Sequence, residues 1–153
     1  MTKKLVISAC LCGRPCRYDG KSSESSSVEK FVEGWRLDGG EVFPVCPEEL
    51  GELGTPRPPA ELRNGVGADI WREGSTATVR RKADNSDVTK AFTTGAILAM
   101  SMANDATHAL LKSRSPSCGV GQVWSDGTVV EGDGVFASLL RTRGVSVFSE
   151  EEI

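Results

Sequence analysis

Lys4-Leu5-Val6-Ile7-Ser8-Ala9-Cys10-Leu11-Cys12-Gly13-Arg14-Pro15-Cys16 begins as an apolar run and stops abruptly in cysteine, glycine and proline. A short apolar run bounded by turn residues predicts a buried strand that feeds a loop. With Met1-Thr2-Lys3 in front it has the outline of a signal peptide. The apolar part is too short for one and runs straight into loop residues. The same figure returns twice. Glu41-Val42-Phe43-Pro44-Val45 runs into Cys46-Pro47-Glu48-Glu49-Leu50-Gly51, and Thr107 to Leu111 runs into Lys112-Ser113-Arg114-Ser115-Pro116-Ser117-Cys118-Gly119. Val145 to Phe148 is a fourth short run.

Helical spacing fills the gaps between these runs. Val28, Phe31, Val32 and Trp35 recur at threes and fours after the serine-rich stretch Ser22 to Ser27, which supplies an N-cap, and Gly39-Gly40 stops the helix. Asp87-Val88-Thr89 opens the longest helical pattern, to about Asn104. Its expected core face is Val88, Phe92, Ile97, Leu98 and Met102, with small residues between that permit close packing. Asp133-Gly134 caps a helix through Val135, Leu139 and Leu140 to Arg143, ended by Gly144. Proline-dense Thr55 to Leu62 reads as an extended surface connector. Two hairpins are expected: Ala68 to Trp71 with Thr76 to Arg81 around Glu73-Gly74, and Val120 to Trp124 with Thr128 to Val130 around Asp126-Gly127. Strands alternating with helices predict an α/β fold in three layers, a mainly parallel sheet with helices on both faces. At 153 residues, without an internal repeat, the chain reads as a single domain over 1–153.

Composition narrows the function classes. Apolar residues at 39% and charged residues at 25% are ordinary for a globular protein and argue against disorder. No run approaches the roughly 18 to 20 apolar residues that cross a bilayer. A net charge of −3 gives no basic face for gripping a long nucleic acid. Five cysteines are an odd number, which together with the missing secretory signal predicts a reducing, cytoplasmic setting. His108 is the single histidine, so a zinc site would have to be almost all thiolate.

Cys10, Cys46 and Cys118 each stand at or beyond the carboxyl end of an apolar run. Ligands of open α/β sheets bind beyond those ends, so the three thiols converge if their strands are neighbours. Three thiolates with one open position suit zinc, copper(I) or an iron–sulfur cluster. Cys12 and Cys16 crowd the first loop without a settled role. Glu48, two residues after Cys46, and Ser115, three before Cys118, are the nearest polar candidates. Position alone favours a helix-start carboxylate for Glu48 and a turn hydroxyl for Ser115.

Six motifs occur in order: Ser8-Ala9-Cys10-Leu11, Pro15-Cys16-Arg17-Tyr18-Asp19-Gly20, Cys46-Pro47-Glu48, Thr55-Pro56-Arg57-Pro58-Pro59-Ala60-Glu61, Asp87-Val88-Thr89 and Arg114-Ser115-Pro116-Ser117-Cys118-Gly119. In these the chain resembles the single-domain thiouracil desulfidase family, from about Lys4 to Phe148. The resemblance implies a Rossmann-like fold and a non-redox enzyme that removes sulfur from thiolated uracils as hydrogen sulfide. It implies a [4Fe-4S] cluster on Cys10, Cys46 and Cys118 whose open iron takes the substrate sulfur. It makes Glu48 and Ser115 the catalytic pair, against the positional reading. Cys12 departs from the family pattern, in which that place is often aliphatic. The expected partner is a small thiolated pyrimidine or its nucleotide, with Arg14, Arg17, Asp19, Arg57 and Arg114 as candidate substrate contacts. Two competing expectations are a non-catalytic zinc or iron–sulfur module and a thiol redox protein using Cys12 and Cys16.

Overall fold

The computed structural model describes residues 3–153. Met1 and Thr2, part of the signal-like opening, lie outside the described residues. In chain order the elements are β1 (Lys4–Ser8), α1 (Ser26–Leu37), β2 (Glu41–Val45), α2 (Pro47–Leu50), β3 (Ala60–Arg63), α3 (Gly67–Trp71), β4 (Thr78–Arg81), α4 (Thr89–Met102), β5 (His108–Leu111), β6 (Gln122–Ser125), β7 (Thr128–Glu131), α5 (Val135–Thr142) and β8 (Ser146–Ser149). The main sheet has the order β2-β1-β5-β8, and every pairing in it is parallel.

Both faces of that sheet are buried, which is why its strands read as continuous apolar runs. On β1, Leu5 and Ile7 point to one face and pack with Leu110 against Val28 and Val32 of α1. Val6 points to the other, where it joins Ala109, Phe92 and Ala96 of α4 and Phe136 and Leu140 of α5. Ser25 caps α1, its hydroxyl accepting from Val28 N at 3.3 Å. The expected α/β architecture holds: a parallel sheet flanked by helices on both faces. The chain leaves β1 towards β2 on one side and leaves β5 towards β8 on the other. Loops diverging between β1 and β5 leave a crevice at the carboxyl ends.

A second sheet, β4-β3-β6-β7, was only half foreseen. The β6–β7 hairpin forms as expected. The other expected hairpin does not, because its first arm is the helix α3. A run as short as Ala68-Asp69-Ile70-Trp71 fits helix or strand equally. Here Asp69 Oδ2 accepts from Val66 N at 2.8 Å and Trp71 Nε1 donates to Val135 O at 2.8 Å, fixing a helical turn. The antiparallel partner of β4 is β3, at the end of the proline-dense stretch read as a connector. Prolines keep that segment extended and so deliver it into a sheet.

The expected core face of α4 also needs correction. Val88 and Phe92 are buried, but Ile97, Leu98 and Met102 are 51%, 43% and 49% exposed. Gly95, Ala96, Ala99 and Met100 face inward instead. The reason is the close approach of α2: a Cβ on Gly95 would overlap the carbonyl oxygen of Pro47. Gly95→Ala is therefore expected to destabilise the protein by about 2 kcal/mol, since overpacking against backbone outweighs the roughly 1 kcal/mol gain in helix propensity. Urea denaturation of the variant checks this; a stability equal to or above wild type would show that α2 yields freely. Among the described residues, no helix is long and apolar enough to cross a membrane.

Candidate active site

Three adjacent strands, β2, β1 and β5, deliver the thiols. Cys10 lies in the 3-10 turn Ala9–Cys12 that follows β1, Cys46 directly follows β2 as the N-cap of α2, and Cys118 lies in the loop after β5. All three line one cavity of about 270 Å³. Cys16 lines it too, because the loop after β1 folds back on itself. Cys46 Sγ lies 3.8 Å from the Cys16 carbonyl oxygen. Cys16, Cys46 and Glu49 bring possible ligand atoms within 4.8 Å of one another. Glu49 was not singled out from sequence, although it shares the first turn of α2 with Glu48. Its Oε2 accepts from Thr55 Oγ1 at 2.8 Å. Cys12 faces elsewhere: it is exposed, on a separate groove beside Val28, Val32 and Arg36. Cys12 and Cys16 thus sit on different cavities. His108 stands at the amino end of β5 against Trp35, away from the cavity lining.

Glu48 and Ser115 also line the cavity, and a third residue joins them. Ser117 Oγ donates to Glu48 Oε2 at 2.8 Å and lies 3.0 Å from Ser115 Oγ. Ser117 is 1% exposed and its hydroxyl also approaches Cys118 Sγ at 3.6 Å. An ionised carboxylate only accepts, so the single Ser117 proton points at Glu48, and Ser115 is free to donate to Ser117. Ser115 Oγ accepts from the backbone N–H groups of Ser117 and Cys118 at 3.2 and 3.1 Å, so it braces the turn as well. Arg57 Nε holds Glu48 Oε1 at 3.1 Å. Sequence missed Ser117 because alternate serines in a Ser-Pro-Ser turn carry no sign of which one is buried.

The candidate substrate contacts separate. Arg17, Arg57 and Arg114 line the cavity, whereas Arg14 and Asp19 do not. Asp19 Oδ1 instead accepts from Lys21 N at 3.0 Å. Arg57 is fully engaged, donating to Gly54 O at 2.8 Å, Thr55 Oγ1 at 3.0 Å and Cys16 O at 2.9 Å besides Glu48. Arg114 is paired with Glu151 at 2.8 Å.

The family model of 2-thiouracil desulfurases matches residues 5–152. This chain belongs to the 2-thiouracil desulfurase family. The solved [4Fe-4S]-dependent thiouracil desulfidase TudS aligns with this desulfurase-family chain at a TM-score of 0.80 and 38% identity, over 99% of this chain and 93% of that one. YbbK of Bacillus subtilis (strain 168), an uncharacterized protein, is 36% identical over 154 residues, 97% of each chain. The family read from the six motifs is therefore borne out.

The thiols of this 2-thiouracil desulfurase relative suit a soft-metal cluster. All five cysteines are free. Burial pushes the Cys118 thiol up to about 12, with the Ser8 and Ser117 hydroxyls opposing. A hydrogen bond with Cys10 is the main cause that pushes Cys16 up to about 11. Cys46 is raised further, chiefly by Cys16 and then by burial. A cation among packed thiols acts the other way, because metal binding displaces their protons. The donor set, four sulfurs and no imidazole at the cavity, matches the soft ligands that iron–sulfur clusters take.

Proposed function

We propose that the protein is a [4Fe-4S]-dependent desulfidase of the cytoplasm, acting over residues 1–153 as one domain. Its substrates are small thiolated uracils, 2- or 4-thiouracil and 4-thiouridine monophosphate, which it converts to the oxo-pyrimidine and hydrogen sulfide. The observation that carries this reading is the meeting of thiols from three adjacent strand ends with the Glu48–Ser117–Ser115 chain in one cavity. Cys10, Cys46 and Cys118 hold the cluster. When bound, a cluster with one open iron supplies a thiophilic Lewis acid for the substrate sulfur.

The remaining work falls to the chain itself. Glu48 takes a proton from a water whose oxygen adds to the thiocarbonyl carbon. Arg57 and Ser117 fix one carboxylate oxygen each, leaving further lone pairs for that water. Ser115 orients the ring and relays a proton. The carbon–sulfur bond then breaks, sulfur leaves as hydrosulfide, and the carbon keeps the oxygen. One water is consumed for each sulfide released, with no net electron transfer.

Cys16 at the cavity favours one second reading, a closed four-thiolate zinc module without catalysis. Anaerobic purification with iron, zinc and sulfide analysis separates the two, followed by turnover of 2-thiouracil, 4-thiouridine monophosphate and thiolated tRNA across a salt series. The proposal expects brown, iron- and sulfide-containing protein that turns over the small substrates with shallow salt dependence. Each RNA phosphate contact would instead add roughly −0.7 to the log–log salt slope. Colourless zinc protein without turnover would establish the module.

A further inference from the structure

Helix α4 is apolar on more than the side that meets the core. From Ala91 to Asn104 the chain carries no charged residue, through the end of the helix at Met102 and into the turn beyond. Phe92, Ala96, Ala99 and Met100 are buried, while Lys90, Thr94, Ile97, Leu98, Ser101 and Met102 are exposed. The exposed set recurs at threes and fours, so it forms one stripe about 20 Å long down the outer side of the helix. Ile97, Leu98 and Met102 are three of the eight large apolar side chains left exposed among the described residues, and no other helix exposes more than one. A helix apolar on both sides is ordinarily covered on both.

The ends of the stripe say what covers it. Lys90 stands in the first turn of α4 and Asp105 just beyond its last. Lys90 has no ion-pair partner among the described residues. Asp105 accepts from Lys4 Nζ at 2.8 Å, but its side chain is 70% exposed and its second oxygen is left for another cation. The first turn of α4 has no acidic residue and the last turn no basic one. Lys90 therefore opposes the dipole of its own helix, and the C-terminal carbonyls lack a cation. A second α4 laid antiparallel across the first corrects both faults. About a two-fold axis between Ile97 and Leu98, Lys90 stands opposite Asp105, Thr94 opposite Ser101 and Ile97 opposite Leu98, and each pair occurs twice. Opposite charges meet at both ends, hydroxyls meet hydroxyls, and apolar residues fill the centre. Each Lys90 also reaches the negative end of the other helix. A stripe that fits itself in this way fits a second copy better than a lipid surface, which is apolar where Lys90 and Asp105 need partners.

We infer that the protein self-associates as a two-fold dimer through the outer face of α4, with the two helices antiparallel. The inference is independent of the desulfidase reading. A single helix pair buries less than the roughly 800 Å² per subunit of a standard interface, so the dimer is reversible, with a Kd on the order of 10 µM. No residue of α4 lines the cavity, so turnover does not report on the pairing and the oligomeric state does.

Sedimentation velocity of the intact, anaerobically purified protein from about 1 to about 200 µM brackets that Kd and tests the inference. Reductant is kept present so that the exposed Cys12 does not cross-link chains. Wild type is expected to pass from monomer to dimer over this range. Ile97→Lys places two like charges at the axis and is expected to stay monomeric throughout. Lys90→Glu turns two attractions into two repulsions and is expected to weaken the dimer about tenfold. Adding Asp105→Lys to Lys90→Glu is expected to recover most of that loss, since the exchanged charges meet again only in the antiparallel register. Thermal melting followed by circular dichroism identifies the folded variants; if Ile97→Lys does not fold, the variants at the exposed Lys90 and Asp105 decide alone. A wild type that is monomeric at every concentration overturns the inference. So does a dimer that Ile97→Lys leaves intact, or a loss in Lys90→Glu that Asp105→Lys does not recover. A monomer that binds phosphatidylcholine vesicles, with binding abolished by Ile97→Lys, would assign the face to a lipid surface instead.

Discussion

Glu48→Gln is expected to keep its iron and brown colour and to lose at least about a hundredfold in turnover, the lower range for a general base. Glutamine keeps the size of the side chain: its carbonyl oxygen can accept from Arg57, and its amide can donate to Ser117 Oγ, which then turns its own proton away, so both contacts have partners in the variant. It cannot take a proton from water near neutral pH. Ser117→Ala is expected to lose about tenfold, because the carboxylate then keeps only its Arg57 support. Since Ser117 acts through Glu48, adding Ser117→Ala to Glu48→Gln is expected to cost little more. Normal turnover by Glu48→Gln would assign water activation to another group. Asp19, the one carboxylate among the candidate substrate contacts, is badly placed for that task, because it lies off the cavity lining and accepts from Lys21 N.

Loss of iron is the second large effect. Serine at Cys10, Cys46 or Cys118 is expected to remove most of the iron after anaerobic reconstitution, since each leaves an iron without its anchor. Cys12→Ser is expected to load fully, as its thiol faces a different groove. Cys16→Ser is the sharper comparison, because its thiol neighbours both Cys10 and Cys46. Three-cysteine ligation predicts that it also loads fully. Full iron in Cys46→Ser, or an iron-free Cys16→Ser, would redraw the ligand set.

The main sheet was legible because strands buried on both faces must be apolar throughout, and β1, β2 and β5 each end in a turn-breaking cluster. The second sheet was not, because Ala60–Arg63 pairs with a strand that begins fifteen residues after it ends, Thr78 against Arg63. Nothing local in a proline-rich segment announces such a partner. On α4 the periodicity was real but its inward side was misassigned. Large apolar residues mark the core only where neighbours stand off, and here Pro47 comes too close for any side chain at Gly95. Cys10, Cys46, Cys118, Glu48 and Ser115 stood out by their places beside strand ends, and they share the cavity. Cys16 and Ser117 depend on how the loops fold back, which spacing along the chain does not encode.

Helix α2 is a single turn of four residues, far below the length at which a helix persists alone. It keeps its shape because Pro47 and Gly51 rest on the backbone of α4 at Gly95 and Ala91. Cys46 and Glu48 flank Pro47 and so ride on one mount, bolted to a helix that contributes no residue to the cavity lining. The proposed metal anchor and the proposed proton acceptor therefore cannot drift apart independently. Heat or a flaw in α4 that loosens the mount will misalign both together, so metal retention and turnover should fade in step well before the sheet itself melts.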